Sequence, residues 1–428
     1  MRHKAVFICS PSVGLLDNWL PILDYLKNND TYISVIFPSE ATLKGLKENL
    51  FLYKLTSEVC DEFVYRRGDF FWRHSNSLIN ASNNKFFSSV YLRIILSKLK
   101  TFKPIKKIIN TVEAYSFNKA LKFSNIDDSQ FVLCDISELN KTYNEMIVSR
   151  LIKLPKFSIS HGITLPGNTQ NTQNTQNTQN NIYCFLFSEK DICKYQLCYN
   201  VPVDNMHVTG IPRHSEEWIK KVLNTFRGTD PFGGKEFILL VSNTSNEKTC
   251  LSLKQKKEYL KQIKSVVIDK YKLCVVIKKH PGEDEDELFY DILGLDSYGD
   301  NWMFSNIHPY CLGSLSVACI TFYSGISVDM AALGVNSIEM NNLSEFSNSN
   351  KCPYLIKDEE RVSPYSYYNL TTRVSSINVL DKYVKHYKKR KNPYYGSTHD
   401  AYNSIFKKDK DCIPKIGDFI LKRTINDK

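Results

Sequence analysis

Four short segments of the chain each end in polar side chains of the kinds that bind phosphate or transfer protons. They are Phe157–Gly162, Val208–Arg213, Cys274–Gly282 and Thr321–Gly325. Each begins with β-prone or apolar residues, and ligands of open parallel sheets bind beyond the carboxyl ends of such strands. Histidine exchanges protons near neutral pH, and basic side chains and the amides at a helix start attract anions. The four segments therefore predict a site for a phosphate-bearing ligand.

The segment Cys274–Gly282 is the most informative of the four. Its apolar run predicts a buried parallel strand, and Pro281 ends that strand and fixes the following turn. Lys279 and His280 then lie at the strand end, where positive charge favours a phosphate. The alternative interpretation is a surface turn with a solvated basic pair. The other segments favour the first interpretation because they repeat the same order of strand and polar residue.

The order and spacing of these motifs resemble those of GT-B enzymes of bacterial surface-polysaccharide assembly. The resemblance is strongest to nucleotide-sugar transferases and CDP-glycerol glycerophosphotransferases, which carry His-Gly, Gly-x-Pro-Arg, Lys-x-His-Pro and a late serine-rich helix start. The matching positions are His161-Gly162, Gly210–Arg213, Lys278–Pro281 and Ser324–Gly334, within roughly residues 155 to 340. The late motif departs from the pattern, because the family often has two adjacent serines and a glutamate where this chain has Ser324-Gly325 and Asp329.

The resemblance implies an α/β fold of two Rossmann-like domains facing a cleft, and it implies roles for individual residues. His161 would be the catalytic base. The donor phosphate would be bound by His280, Lys279, Pro281, Ser324, Gly325 and Arg213, and the ribose by Asp329. The resemblance also implies that the reaction needs no metal and no cofactor beyond the nucleotide-sugar substrate. The alternative interpretation of His161 is a buried, hydrogen-bonded structural histidine.

Asp135 is a second candidate for the base. It follows the apolar run Phe131–Cys134 at the predicted end of a strand. The alternative interpretation is that its carboxylate caps the next helix.

The positions of the strands predict the domain organisation. The segments Ala5–Ser10 and Tyr32–Phe37 begin a parallel sheet, but no GxGxxG motif follows, so no dinucleotide cofactor is expected. A turn-rich stretch at 227–234 predicts a linker. We expect an acceptor-side domain at 1–226, a nucleotide-donor domain at 235–370 and a helical, basic extension at 371–428. The tandem Asn-Thr-Gln triplets predict a mobile loop at 168–181.

The chain carries a net charge of +11, and part of this charge is concentrated in two clusters, Lys98–Lys107 and Lys385–Tyr395. Such clusters suit the anionic inner surface of a membrane or an anionic acceptor. The alternative is a solvated basic face. No nucleic-acid-binding module is recognisable. No apolar run approaches the roughly 20 residues of a membrane helix, so we expect a cytoplasmic protein that associates peripherally with the membrane.

Two further patterns carry predictions. The 12 cysteines are scattered without zinc spacing, which predicts buried thiols, no disulfide framework and no structural metal. The acidic run Glu283–Glu287 is expected to form the solvated first turn of a helix. A second His-Pro pair, His308-Pro309, follows no apolar strand and is expected to lie outside the site.

The predicted function is transfer of a sugar from a CMP-linked or other nucleotide-activated donor to a growing bacterial surface glycan, free or linked to lipid. Three alternatives stay open. They are a CDP-glycerol-type glycerophosphotransferase, a non-hydrolysing UDP-sugar 2-epimerase and a non-catalytic assembly scaffold. The sequence leaves undetermined the sugar, nucleotide, acceptor, linkage, anomeric outcome and oligomeric state.

Overall fold

The computed structural model describes residues 2–10, 14–38, 40–65, 125–139, 151, 153–160, 181–346, 352–389, 397–406 and 409–426. Several predicted features lie outside this part. They are His161, residues 168–180 of the predicted loop, the basic cluster 98–107 and residues 390–395 of the second cluster. The described residues form two compact units, one lying within 1–161, 180–184 and 417–428 and the other within 185–416. The three predicted domain boundaries stay a prediction.

Strands and helices alternate along most of the described chain. The strands are β1 (His3–Ile8), β2 (Thr31–Phe37), β3 (Glu62–Tyr65), β4 (Phe131–Cys134), β5 (Lys156–Ile159), β6 (Ile182–Leu186), β7 (Met206–Val208), β8 (Phe237–Val241), β9 (Cys274–Lys278), β10 (Trp302–Phe304), β11 (Cys319–Thr321), β12 (Ser337–Met340), β13 (Leu355–Lys357), β14 (Glu360–Val362) and β15 (Thr372–Val374). The helices are α1 (Gly14–Asn28), α2 (Glu40–Glu48), α3 (Leu50–Val59), α4 (Ile136–Leu139), α5 (Asp191–Tyr199), α6 (Glu216–Thr225), α7 (Leu253–Ile263), α8 (Asp286–Leu293), α9 (Pro309–Leu315), α10 (Ile326–Leu333), α11 (Pro364–Tyr367), α12 (Ile377–Lys389), α13 (Ser397–Ile405) and α14 (Cys412–Asn426).

The first sheet has seven strands in the order β3-β2-β1-β4-β5-β6-β7. The first five strands in this order, β3-β2-β1-β4-β5, run parallel. Strand β1 pairs with β2 over six residues, from the pair His3 and Thr31 to the pair Ile8 and Ile36. Helix α1 covers this sheet with an apolar stripe that recurs every three or four residues, and its Trp19 donates a hydrogen bond to the Cys134 carbonyl (3.2 Å). The predicted β-loop-α-β beginning of the chain is therefore confirmed.

The last helix, α14, packs within the first unit. Its Phe419 ring contacts the rings of Phe157 and Tyr183 at centroid distances of 6.3 and 5.5 Å. Gly417 lies against the ring of Tyr25, whose hydroxyl donates to the Asp418 carboxylate (2.7 Å). A side chain at position 417 would overlap that ring, so this glycine is what allows the close approach of the helix.

The second sheet has six parallel strands in the order β10-β9-β8-β11-β12-β15. All five residues of β8 are buried, which is the pattern of a strand covered by helices on both faces. The core of this unit is built around Trp302, Phe289 and Phe322 and contains residues from helices α7, α8 and α12. A short antiparallel hairpin, β13-β14, follows, with Asp358 and Glu359 at positive φ in its turn.

The cysteine prediction is wrong for one pair, because Cys250 and Cys352 form a disulfide. Both side chains are buried, and they share a small apolar cluster with Leu343. The two cysteines lie 102 positions apart, so spacing along the chain carried no signal of their pairing. The other ten cysteines form no disulfide, and burial raises the pKa of the Cys311 thiol to about 11 and that of the Cys319 thiol to about 12.

In the described part of the chain, no helix is both long and apolar enough to cross a bilayer.

Candidate functional site

The second sheet brings two of the four polar segments and the loop after β8 to one edge. Strands β9 and β11 both pair in parallel with β8, so the residues after all three strands emerge on the same side. These residues are Ser242–Asn246 after β8, Lys279–Gly282 after β9 and Phe322–Gly325 after β11. Polar groups gathered at the carboxyl ends of neighbouring parallel strands form the usual ligand site of this sheet type.

His280 is held in a closed turn directly after β9. The Glu283 amide donates to the His280 carbonyl (2.9 Å), and the Gly282 amide donates to Nδ1 of the His280 ring (3.1 Å). Because Nδ1 accepts this hydrogen bond, the neutral ring carries its own proton on Nε2. Partial desolvation lowers the pKa of His280, against the opposing attraction of Glu283, so the ring is neutral at pH 7. The exposed imidazole can therefore donate a hydrogen bond from Nε2 to a phosphate oxygen.

A buried ion pair lies below this turn, and it corrects the prediction that Glu283–Glu287 is solvated. The side chains of Lys256 and Glu283 are both fully buried, and Nζ of Lys256 lies 2.5 Å from Oε1 of Glu283. Lys256 also donates to Oε2 of Glu285 (2.6 Å) and to the Asn243 carbonyl (2.9 Å). Desolvation alone would raise the pKa of Glu285, but the hydrogen bond and charge of Lys256 hold it below the usual value. Sequence reasoning missed Lys256 because it stands in a run of polar helical residues.

The same two carboxylates bind the loop after β8. The hydroxyl of Ser242 donates to Oε1 of Glu283 (2.8 Å). Ser245 donates to Glu285 through both its amide (3.1 Å) and its hydroxyl (3.0 Å). The two strand-end loops are therefore joined through Glu283, Glu285 and Lys256. Both serine hydroxyls of this loop already have a protein acceptor.

Lys279, predicted to bind the donor phosphate, has protein partners in the structure. Its ammonium pairs with the Asp286 carboxylate at the start of α8 and lies 4.9 Å from the centre of the Phe304 ring. About a quarter of the side chain is exposed (27%), so a phosphate would share this cation with Asp286. The predicted role of Lys279 stays a prediction.

Ser324 and Gly325 lie at the start of α10, as predicted, and Gly334 in a left-handed conformation ends this helix. The Ser324 hydroxyl accepts a hydrogen bond from the Ile326 amide (3.3 Å). The preceding residue, Tyr323, has φ of 58°, a conformation that costs a bulky residue about 1–3 kcal/mol.

Two hydrogen bonds hold Tyr323 in this conformation. The side-chain amide of Asn243 donates to the Tyr323 carbonyl (3.1 Å), and the Tyr323 hydroxyl donates to the Pro353 carbonyl (2.7 Å). These bonds connect Tyr323, which directly precedes Ser324, to the loop after β8 and to Pro353 beside the disulfide.

Arg213 and Asp329, assigned separately to phosphate and ribose, contact one another. Oδ1 of Asp329 lies 2.7 Å from an Arg213 guanidinium nitrogen and 2.7 Å from Nε2 of His214. The other ring nitrogen of His214 lies 2.8 Å from the Tyr402 hydroxyl. Asp329 is only 2% exposed, so this cluster ties the Gly210–Arg213 motif and α13 to α10. The ligand roles of Arg213 and Asp329 stay predictions.

His214 is a residue that sequence reasoning missed. Its side chain is 1% exposed and lies between Asp329 and Tyr402. The available signal was its place directly after Arg213 in the Gly-x-Pro-Arg motif.

Asp135 has a helix-capping contact in the structure. Its Oδ1 accepts the Ser137 amide (2.9 Å) at the start of α4, and the residue is 4% exposed. This geometry matches the alternative interpretation of Asp135, and its predicted role as a base stays a prediction. His308 also caps a helix, since its Nδ1 accepts the Tyr310 amide in α9 (3.2 Å).

Comparison with known proteins gives a likeness at the level of structure. No protein-family model matches the chain, and no curated protein is similar enough to match it. Among solved structures, a UDP-N-acetylglucosamine 2-epimerase aligns with a TM-score of 0.51 at 12% identity, covering 98% of this chain and 96% of that one. The S. aureus MnaA–UDP structure aligns at 0.52 and 11% identity, covering 100% and 97%. The wall teichoic acid polymerase TagF, in a structure soaked with CDPG, aligns at 0.51 and 12% identity, covering 100% and 90%.

The fold is of the GT-B type. The likenesses extend over nearly the whole chain, and the two mainly parallel α/β sheets agree with them, so the predicted class of two Rossmann-like domains is confirmed. Identities of 11–12% establish this fold alone. The choice among the activities found on this fold has to come from the site.

Proposed function

We propose that this protein is a glycosyltransferase that moves a sugar from a nucleotide-activated donor to a growing bacterial surface glycan. The observation that carries the proposal is the edge of the second sheet, where the His280 ring follows β9 and the Ser324-Gly325 helix start follows β11, the two strands on either side of β8. Both can donate hydrogen bonds to an anion, and negative charge develops on phosphate when a sugar leaves its nucleotide. CMP-linked sugars are the favoured donors, by the resemblance of the His-Pro segment.

The proposed reaction is a single displacement at the anomeric carbon. The acceptor hydroxyl oxygen forms a bond to that carbon, and the bond from the carbon to the phosphate oxygen breaks. The electron pair of the broken bond stays on the phosphate, where Nε2–H of His280 and the hydroxyl proton of Ser324 stabilise it. His161 accepts the acceptor proton, with Asp135 as the second candidate. By resemblance, neither a metal nor a cofactor takes part.

Two alternatives are supported by the solved structures that share the fold. A TagF structure was soaked with CDPG, which favours attack of the acceptor on phosphorus as in glycerophosphate transfer. A UDP-N-acetylglucosamine 2-epimerase favours isomerisation of the free nucleotide sugar. Formation of an epimer from a UDP-sugar without any acceptor would identify the second alternative. Transfer of glycerophosphate from CDP-glycerol would identify the first.

Nucleotide binding tests the proposed donor site. We expect CMP, or another member of a panel with CDP, UDP and GDP, to stabilise the protein by about 2.7 kcal/mol at a hundredfold excess over Kd. His280→Ala should weaken this binding by about 1.5–3 kcal/mol, or about ten- to hundredfold in Kd, because a hydrogen bond to a charged phosphate is lost. Urea denaturation with and without the nucleotide measures the stabilisation, and calorimetric titration measures the change in Kd.

The matched control for His280→Ala is His386→Ala, which removes another exposed histidine from α12. It should leave nucleotide affinity unchanged. An equal effect of the two substitutions, or no binding of any nucleotide, would contradict the assignment of the site.

We also propose that the protein works at the anionic inner surface of the membrane, through its basic clusters. The described part of the second cluster lies on α12, where Lys385 and Lys389 are exposed, as is Lys382 just before the cluster. Replacing these three lysines by glutamine should weaken binding to vesicles that contain phosphatidylglycerol by about 3 kcal/mol, or about a hundredfold. Cosedimentation measures the change.

The control for membrane binding replaces three exposed lysines of α7, Lys254, Lys257 and Lys261, in the same way. A similar loss in both triple variants would show that only net charge matters. Equally strong binding to phosphatidylcholine vesicles would also refute the proposal that the lysines bind the membrane electrostatically.

A further inference from the structure

We propose that Lys256 and Glu283 are positioning residues that hold the His280 imidazole in the orientation in which it binds the donor phosphate. This inference rests on the proposed function, since it gives the His280 site a supporting pair. Neither residue contacts the reacting atoms. Both act through the backbone of the turn that carries His280.

The two carboxylate oxygens of Glu283 have different partners. Oε2 accepts the backbone amide of His280 (3.1 Å), which fixes the first residue of the turn. Oε1 accepts Lys256 (2.5 Å) and the Ser242 hydroxyl (2.8 Å). With Oε2 in place, the Gly282 amide lies against Nδ1 of His280, and this contact directs Nε2 and its proton outward. The carboxylate therefore fixes the backbone of the turn, and the Gly282 amide of that turn sets the orientation and the tautomer of the ring.

Lys256 holds this carboxylate in place. It reaches Glu283 from helix α7, and its Nζ also binds the Asn243 carbonyl and Glu285. Its ammonium lies 5.0 Å from the centre of the Phe289 ring, inside the core of the unit. Burying two charges is costly, and a well-packed apolar pair of similar size often stabilises a fold as well or better. Stability alone therefore does not explain why Lys256 and Glu283 are paired here. The need for a hydrogen-bond acceptor at the His280 amide does explain it.

Two double variants separate positioning from stability. Lys256→Met/Glu283→Gln and Lys256→Met/Glu283→Leu both remove the two buried charges. The glutamine retains a side-chain oxygen for the His280 amide, and its NH₂ group can donate to Ser242. The leucine offers no acceptor at all. The two proteins therefore differ chiefly in whether the His280 amide has its partner.

Three measurements are made on the full chain. Thermal unfolding should show the two double variants within a few degrees of one another. Amide hydrogen exchange should show the His280 amide protected in wild type and in the glutamine variant, and at least tenfold faster in the leucine variant. Titration with CMP, or with the nucleotide that wild type binds, should give a Kd within threefold of wild type for the glutamine variant and at least tenfold weaker for the leucine variant.

Each contrary result has a distinct meaning. Equal His280 exchange in the two double variants would overturn the positioning role, whatever nucleotide binding shows. Faster exchange in the leucine variant with unchanged nucleotide affinity would overturn the link between this turn and the donor site. Failure of wild type to bind any nucleotide would refute the proposed function instead, and the exchange rates would still decide whether Glu283 fixes His280.

Discussion

Replacing Asp329 with alanine is expected to lower the free energy of unfolding by about 3–5 kcal/mol. The carboxylate accepts both the Arg213 guanidinium and His214, each at 2.7 Å, and all three side chains are buried or nearly so. The Arg213 side chain is only 14% exposed, and removal of Asp329 would leave its guanidinium without a carboxylate partner. The His214 ring would lose the acceptor at Nε2. An unbalanced buried charge of this kind is among the most destabilising results of a single substitution. Urea denaturation followed by circular dichroism gives the value.

Asp291→Ala is the matched control for this change. Asp291 also lies on a helix of the second unit, α8, but it is exposed. Its replacement should change stability by no more than about 0.5 kcal/mol. Asp329→Asn keeps the oxygen that accepts both partners while removing the charge. Its loss of stability should therefore fall between the losses of the two alanine variants. A loss for Asp329→Ala no larger than that of the control would show that Arg213 and His214 do not depend on this carboxylate.

The sequence predicted much of the backbone plan because that plan depends on local patterns. The continuous apolar run of β9, the turn at Pro281 that follows it and the helix start at Ser324-Gly325 can all be read from neighbouring residues. Parallel strands that share an edge then bring these segments together without further information. The order of the motifs was also sufficient to suggest the GT-B fold.

The side-chain partners could not be predicted in the same way. In α7 the apolar Leu253 is exposed (47%), whereas Lys256 is fully buried, which reverses the order that hydrophobic periodicity predicts. The reason is tertiary, because Glu283 reaches this helix from a loop 27 positions away. The contact of Arg213 with Asp329 likewise joins distant segments, and no local pattern marks either pair. Buried charges that satisfy one another are therefore the part of the site that only a structure reveals.

Breaking the disulfide between Cys250 and Cys352 is expected to lower the free energy of unfolding by about 4–5 kcal/mol. The bond closes a loop of 102 positions, and cross-linking a loop of about this length removes that much conformational free energy from the unfolded chain. The comparison is between unfolding in urea with and without an excess of reductant. A Cys250→Ser/Cys352→Ser variant should match the reduced wild type and should itself be insensitive to reductant, because the other ten cysteines form no disulfide.

The position of the disulfide adds a local consequence to the global one. Cys352 precedes Pro353, whose carbonyl accepts the Tyr323 hydroxyl, and Tyr323 is the strained residue directly before Ser324. Loss of the bond should therefore increase amide exchange around Tyr323 before the protein unfolds, since this hydrogen bond helps to hold its left-handed conformation. Alkylation of all 12 cysteines in the denatured, unreduced protein would show that the bond does not form. Equal stability with and without reductant would show that it does not constrain the chain.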